Sequence, residues 1–220
     1  MPINNIIDGP NSSVIAGNVN DNVASGLYSL ATGNDTSATG MGAFADGNGS
    51  EANGVASHAE NTATANGDFS HAENTGVTGT NALYAHAENA GTANGQYSHA
   101  HGNGVADGDY STVGGFSTVA SHDYQTVIGK YNALDENDES TGGALIIGGG
   151  TSDTNRSDVF SVDWNGNVNI RGNYCINGSP ISTGSGGLPE VTTADNGKFL
   201  RVVNGAWAIV LIEEAGGNSF

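Results

Sequence analysis

The sequence predicts an all-β fold, a parallel β-solenoid followed by small β-rich C-terminal segments, and three observations predict it. A short motif recurs every 13 or 14 residues between about Ser13 and His122. Each copy holds two strand-like segments that end on Gly or Asn, or once on His, residues that readily form turns. The middle position of each segment is small or apolar in copy after copy. A fixed period with these properties indicates stacked rungs rather than a globular enzyme.

The first segment of each copy has the form S-x-A-x-G. Because side chains alternate along a strand, its middle residue should lie on the opposite face from its two neighbours. We expect this middle column to point inward. It comprises Ile15, Ala31, Ala45, Ala59, Ala72, Ala87, Ala100, Val113 and Val127, the last of them in QTVIG (125–129), which ends the series.

The second segment of each copy is shorter, as in VASG (23–26) and TANG (64–67). Its middle column is also small throughout. Two strands with mainly Ala between them can approach closely, which predicts a thin, flattened β-roll. The second column comprises Ala24, Ala38, Ala52, Ala65, Gly79, Ala93, Ala106 and Ala120.

An interior of alanine gives each rung little stabilisation. Burial contributes ~25 cal/mol per Å² of apolar surface, whereas ordering a residue's backbone costs ~1–2 kcal/mol. Stacking of successive rungs supplies part of the difference. We therefore expect copies of the chain to associate, and symmetric packing is the simplest arrangement.

The columns that flank the first interior column predict where that association occurs. We expect a polar ladder at a subunit interface, with His and Glu paired within a rung or between subunits. Simple exposure to solvent and binding of a metal ion are the two alternatives, but the close Cys/His spacing of a zinc site is absent. The predicted ladder and interface residues are Val14, Leu30, Phe44, His58, Glu60, His71, Glu73, His86, Glu88, His99 and His101.

Composition narrows the classes of function. The formal net charge of −18 argues against nucleic-acid binding. The chain begins without a basic, apolar leader, and its longest late apolar run, 206–212, is too short to cross a bilayer, so we expect neither export by a signal peptide nor membrane insertion.

Carboxylates lie in columns or in an acidic run at 135–139 rather than in a pair suited to acid-base catalysis. We predict no enzymatic activity, no catalytic residue, no cofactor and no metal.

The chain divides into five predicted parts. An N-terminal segment (1–12) precedes the repeat shaft (13–130), and a β-rich transition segment (131–178) follows it, with a hairpin turn at WNGN (164–167). A linker rich in Gly and Ser (179–187) leads to a small C-terminal β module (188–220). That module should contain a second hairpin, with strands over 198–204 and 206–212.

The repeats SVIAG, SLATG and SHAEN resemble the head repeats of trimeric autotransporter adhesins. In that family such strands build a left-handed parallel β-roll that trimerises. The resemblance covers about half of the chain and implies a left-handed homotrimer here. It also supplies an alternative function, an adhesin-like module that binds a glycan or a protein.

Other segments resemble bacteriophage tail-fibre and head-fibre proteins. The segments concerned are VIGKYNALDEND, the motif F-x-V-x-x-x-G-N-V-x-I-x-G at 160–172, and LPEVTTADNGKFLRVVNGAWAIV at 188–210. This resemblance implies a homotrimeric fibre on the virion surface, assembled in the host cytoplasm. Its expected partners are other virion proteins of the capsid or tail, and a glycan or protein on the host cell surface.

Overall fold

A computed structural model describes residues 6–16, 21–134, 143–173, 175–176, 179–180, 198–203 and 206–211. It confirms an all-β parallel solenoid of about 9 turns with rungs of ~14 residues. The chain forms two compact units, Met1–Asn169 and Ile170–Phe220. None of the described segments is a helix long and apolar enough to cross a membrane.

One sheet of the solenoid, here called the histidine face, is built from the first segment of each repeat. Its strands pair in parallel and in register, so that His58, His71 and His86 are direct neighbours. The strands are β2 (Ser13–Ala16), β4 (Leu30–Asn34), β6 (Phe44–Asn48), β8 (His58–Glu60), β10 (His71–Glu73), β12 (His86–Glu88), the start of β14 (His99–Ala106), the start of β15 (Thr112–Ala120), β16 (Thr126–Lys130) and β17 (Gly143–Gly149).

The second sheet, here called the opposite face, is built from the second segment of each repeat. Its strands are very short, and each pairs in parallel with its counterparts in the neighbouring rungs. They are β1 (Ile6–Ile7), β3 (Val23–Ala24), β5 (Ser37–Ala38), β7 (Glu51–Ala52), β9 (Thr64–Ala65), β11 (Val77–Thr78), β13 (Thr92–Ala93) and the ends of β14 and β15.

The two predicted alanine columns form the core between the faces, and Ala59 and Ala65 are both fully buried. The predicted phase was wrong in two copies. Val14, not Ile15, is in register with Ala31, while Ile15 lies 60% exposed. In the fifth rung Thr78 replaces Gly79 in the core. Its hydroxyl accepts hydrogen bonds from the backbone N–H groups of Asn66 and Gly67 in the previous rung, so this polar atom inside the roll has partners.

The turns follow the predicted residues at one end of the rung only. After the first segment, Asn61, Asn74 and Asn89 adopt positive φ, as predicted. After the second segment, the glycine is needed for a different reason. A β-carbon on Gly54 would lie 2.0 Å from the carbonyl oxygen of Gly67 in the next rung, so only glycine fits. The positive φ occurs two residues later, at Ala56 in this rung.

The stack continues beyond QTVIG, because β17 pairs in parallel with β16 and buries Ile146. β18 (Asp158–Asp163) then reverses direction and pairs antiparallel with β17. The turn to β19 (Val168–Ile170) confirms the predicted hairpin at 164–167: Asp163 Oδ1 accepts hydrogen bonds from the N–H groups of Asn165 and Asn167. The hydrogen bond from the side chain of Asn167 lowers the pKa of Asp163, and the one from its backbone N–H lowers it by a smaller amount.

The described residues of the C-terminal unit form two antiparallel pairs. β20 (Cys175–Ile176) pairs with β21 (Ser179–Pro180). β22 (Lys198–Val203) pairs with β23 (Ala206–Leu211), which confirms the second predicted hairpin. Residues 181–187 of the predicted linker and residues 135–142, which include the acidic run, lie outside the described residues.

Candidate functional site

The parallel register of the histidine face brings most of the predicted ladder residues into one outer column. Leu30 lies opposite Phe44, and Phe44 opposite His58. His71, His86 and His99 continue the column in successive rungs. Val14 does not belong to it, because the one-residue shift in β2 places Val14 against the alanine core.

The rings of this outer column stack face to face. Centroids are 4.8 Å apart for Phe44 and His58, 4.8 Å for His58 and His71, 5.0 Å for His71 and His86, and 4.8 Å for His86 and His99. These separations follow from the spacing of hydrogen-bonded strands. The rings are about 40% exposed at His58, His71, His86 and His99. The face therefore offers ring edges and polar atoms to an approaching surface.

A second outer column carries the carboxylates Asp46, Glu60, Glu73 and Glu88, in register with one another. Each carboxylate reaches the histidine of the following rung. The distances from histidine Nε2 are 3.2 Å for Asp46–His58, 3.0 Å for Glu60–His71, 3.9 Å for Glu73–His86 and 3.6 Å for Glu88–His99. Contacts between a carboxylate and an imidazole thus link each rung to the next, although the imidazoles also stack on one another and the carboxylates lie in register with one another.

Within one chain, this pairing between rungs differs from the predicted pairing within a rung. His71 is in register with His58, two residues before Glu60, so Glu60 and His71 are diagonal neighbours on adjacent strands. Their side chains are long enough to meet along this diagonal, at 3.0 Å. Asp46 was missing from the predicted ladder residues, although it is the partner of His58.

The part of the ladder at His86 and His99 is less completely hydrogen-bonded than the part at His58 and His71. Nε2 of His86 and of His99 are shielded from solvent and find no hydrogen-bond partner among the described residues. Partial burial lowers the pKa of His86, and the neighbouring imidazoles of His99 and His71 lower it further, against an opposing effect of Glu88. Neutral His86 is therefore favoured over its protonated form.

Two groups in the ladder have the residue types and proximity to hold a metal ion. They are His58, Glu60 and His71, and Glu88, His99 and His101. In each group the ligating atoms lie within 4.8 Å of one another. In the first group, Glu60 already accepts a hydrogen bond from His71.

A second set of stacked rings, here called the aromatic column, borders the histidine face and was not predicted. Each ring precedes the first segment of a rung by one residue, and its backbone N–H donates to a carbonyl of the previous turn, as Tyr84 N–H does to Asp68. Neighbouring centroids are 4.8–5.0 Å apart. The recurrent aromatic before Ser, Ala or Gln was the signal in the sequence. The column comprises Phe69, Tyr84, Tyr97, Tyr110 and Tyr124.

The aromatic column ends at a shallow depression of about 210 Å³. Tyr124 stacks on Tyr110 and is 61% exposed, and Trp164 lies across the depression, 46% exposed. His122 and Asp123 complete the lining.

No protein-family model matches the chain, and no curated protein matches it.

Proposed function

We propose that the solenoid is the shaft of a homotrimeric structural fibre on a virion, and that the histidine face is the surface through which copies of the chain associate. The observation that carries the proposal is the combination of a core made mainly of alanine with an outer column of stacked rings from Phe44 to His99. A core of this kind stabilises each rung weakly. Association through the outer column would supply the missing apolar burial.

The chemistry of the histidine face suits contact with a second copy of itself. Leu30 and Phe44 provide apolar area at its start. Above them, the three rungs that contain β8, β10 and β12 each present an imidazole and a carboxylate, so one copy offers donors and acceptors that another copy can match. The exposed aromatic column beside this face adds further apolar surface, such as Tyr97 at 48% exposure.

Measurement of molar mass by light scattering tests the association. We expect three times the 22.1 kDa of one chain. Phe44→Glu should shift the protein towards monomer, because it places a charge in the apolar part of the face. Glu51→Lys, an exposed substitution on the opposite face, should leave the mass unchanged. A wild-type monomer at high micromolar concentration, with native circular dichroism, would overturn the proposal.

The virion setting rests on the resemblance to phage fibre proteins and needs its own test. An antibody raised against the solenoid should label the surface of phage particles whose genome encodes the chain, as seen in negative-stain micrographs. Purified particles that lack both the label and the protein would refute the setting, even if the trimer is correct.

A second candidate function, attachment to a saccharide, is favoured by the depression beside Trp164. Aromatic rings at Tyr124 and Trp164 present apolar faces, and Asp123 supplies a carboxylate beside them, a combination suited to a single sugar ring. Binding should quench the fluorescence of Trp164, measured in a Trp207→Phe background so that one tryptophan reports. A glycan array without a hit, together with unchanged fluorescence for every sugar tested, would exclude this function.

A further inference from the structure

At the rung that contains His101, the alternation of the ladder changes. In the preceding rungs, each carboxylate of the second outer column is in register with a carboxylate of the next rung, as Glu60 is with Glu73. Glu88 is instead in register with His101. His99 lies two residues before His101 on the same side of β14, because side chains alternate along a strand. Glu88 thus meets imidazoles at both outward positions of the next rung.

Beside Glu88, the Nε2 atom of His99 is available to bind a ligand. Its Nε2 lies 3.6 Å from Glu88 Oε1, beyond a hydrogen bond, whereas the equivalent distance from His71 to Glu60 is 3.0 Å. The same Nε2 is shielded from solvent and without a hydrogen-bond partner among the described residues. A buried, unbonded imidazole nitrogen carries a desolvation cost that coordination to a metal would remove.

The position of His101 is set by the next rung. Gly114 lies in register above His101, and a β-carbon there would stand 2.3 Å from Cε1 and from Nε2 of the imidazole. The His101 ring therefore occupies the space that a side chain at position 114 would fill. It lies 5.6 Å from the ring of His99, centroid to centroid, and is tilted by 48° rather than stacked. This tilt distinguishes His101 from the other imidazoles of the ladder.

We propose that Glu88, His99 and His101 bind one divalent transition-metal ion, with Zn²⁺ as the best match and water as the fourth ligand. Two imidazoles and one carboxylate are a ligand set that zinc uses at sites with an open position. The three ligating atoms lie within 4.8 Å of one another. Tetrahedral zinc needs them about 3.4 Å apart, given bonds of about 2.1 Å. Rotation of the Glu88 and His101 side chains supplies this movement.

All three ligands come from one chain, so the site does not depend on association of copies. The bound ion joins β12 to β14 and stabilises the folded state by mass action. The lower group, His58, Glu60 and His71, has the same residue types, but its imidazoles already bond to carboxylates at 3.2 and 3.0 Å. It should bind zinc more weakly.

Titration calorimetry with Zn²⁺ on the full chain, stripped of metal with a chelator and then exchanged into chelator-free buffer, tests the site. We expect one zinc ion per chain, a Kd in the micromolar range and a higher melting temperature. His101→Ala and Glu88→Gln should each weaken binding about tenfold or more. Glu51→Gln, on the opposite face, should leave it unchanged. His101 is exposed, so circular dichroism of the metal-free variant should match wild type.

Two further measurements keep the test decisive. Gly114→Ala retains every ligand but displaces the His101 ring, and it should also weaken zinc binding. Co²⁺ should give the visible absorption of a tetrahedral site, lost in His101→Ala. The proposal is overturned if zinc does not bind at millimolar concentration, or if Glu60→Gln abolishes binding while His101→Ala does not. Light scattering with and without zinc shows separately whether copies associate.

Discussion

The side-chain amide of Asn132 hydrogen-bonds to both backbone groups of Val119. Its Oδ1 accepts from the N–H at 2.8 Å, and its Nδ2 donates to the carbonyl at 2.9 Å. Asn132 thereby takes the place of a further strand beside the end of β15 on the opposite face. An unpaired strand edge is a template for aggregation, so this side chain also covers a vulnerable edge.

Asn132→Ala should lower the free energy of unfolding by roughly 2–4 kcal/mol, because it removes a buried side chain and leaves two half-buried backbone groups of Val119 without their partner. Asn155→Ala removes an exposed hydrogen bond to Thr151 and should cost less than about 0.5 kcal/mol. Urea denaturation followed by circular dichroism measures both. Equal losses in the two variants would show that Asn132 does not act as the missing strand.

The solenoid should lose stability as the pH falls below about 6.5, the ordinary pKa of histidine. Because the folded-state pKa of His86 is lowered, the unfolded chain binds its proton more readily, and acid therefore favours unfolding. The groups that face His86 along the ladder are His71, His99, Glu73 and Glu88. The melting temperature should be lower at pH 5 than at pH 8, and His86→Gln should reduce that difference. A difference of the same size in His86→Gln would assign the acid sensitivity to other groups.

The same substitution should have opposite effects at Ala56 and Ala59. Ala56 is exposed and has a φ of 51°, which glycine adopts with less strain, so Ala56→Gly should stabilise the fold by up to about 1 kcal/mol. Ala59 is fully buried in β8, and Ala59→Gly should destabilise by roughly 1 kcal/mol. Thermal denaturation of the two variants provides the comparison. A loss of stability in Ala56→Gly would contradict the role given to this turn.

Two glycines should differ sharply in their tolerance of alanine. Gly54→Ala places a β-carbon 2.0 Å from the Gly67 carbonyl oxygen and should cost more than about 3 kcal/mol, because two rungs must separate. Gly42 has a φ of 68° and open space around its Cα, so Gly42→Ala should cost only about 1 kcal/mol. The yield of folded protein and the urea midpoint distinguish the two. Similar midpoints would show that rungs can shift to admit a methyl group.

The period of the sequence was enough to predict the solenoid and most of its core, because alanine recurs at most of the inward positions. The prediction was wrong by one residue in two copies, where Val14 and Thr78 lie inward instead of the residues that follow them. Such a slip reverses the face of every side chain in that strand. Nothing in the short segment SSVIA distinguishes the two phases, since Val and Ile fit either face.

The contacts between rungs were harder to predict than the rungs themselves. The sequence shows that His58 and Glu60 recur together, but only the register shows that each carboxylate reaches the next histidine. The aromatic column was visible as Tyr or Phe before the first segment of five successive rungs, but the sequence alone did not show the turn geometry that stacks these rings. The role of Asn132 depends on where the chain passes after β16.

The pairing of each carboxylate with the histidine of the following rung makes the ladder modular. A complete SHAEN rung such as the one that begins at Ser70 can be deleted or duplicated, and the carboxylate before it then meets the next histidine in the same geometry. Neither change leaves an unpaired charge in the middle of the stack. In-frame gain or loss of one repeat unit in the gene would therefore alter the length of the shaft by about 4.8 Å per rung while its surface chemistry stays the same.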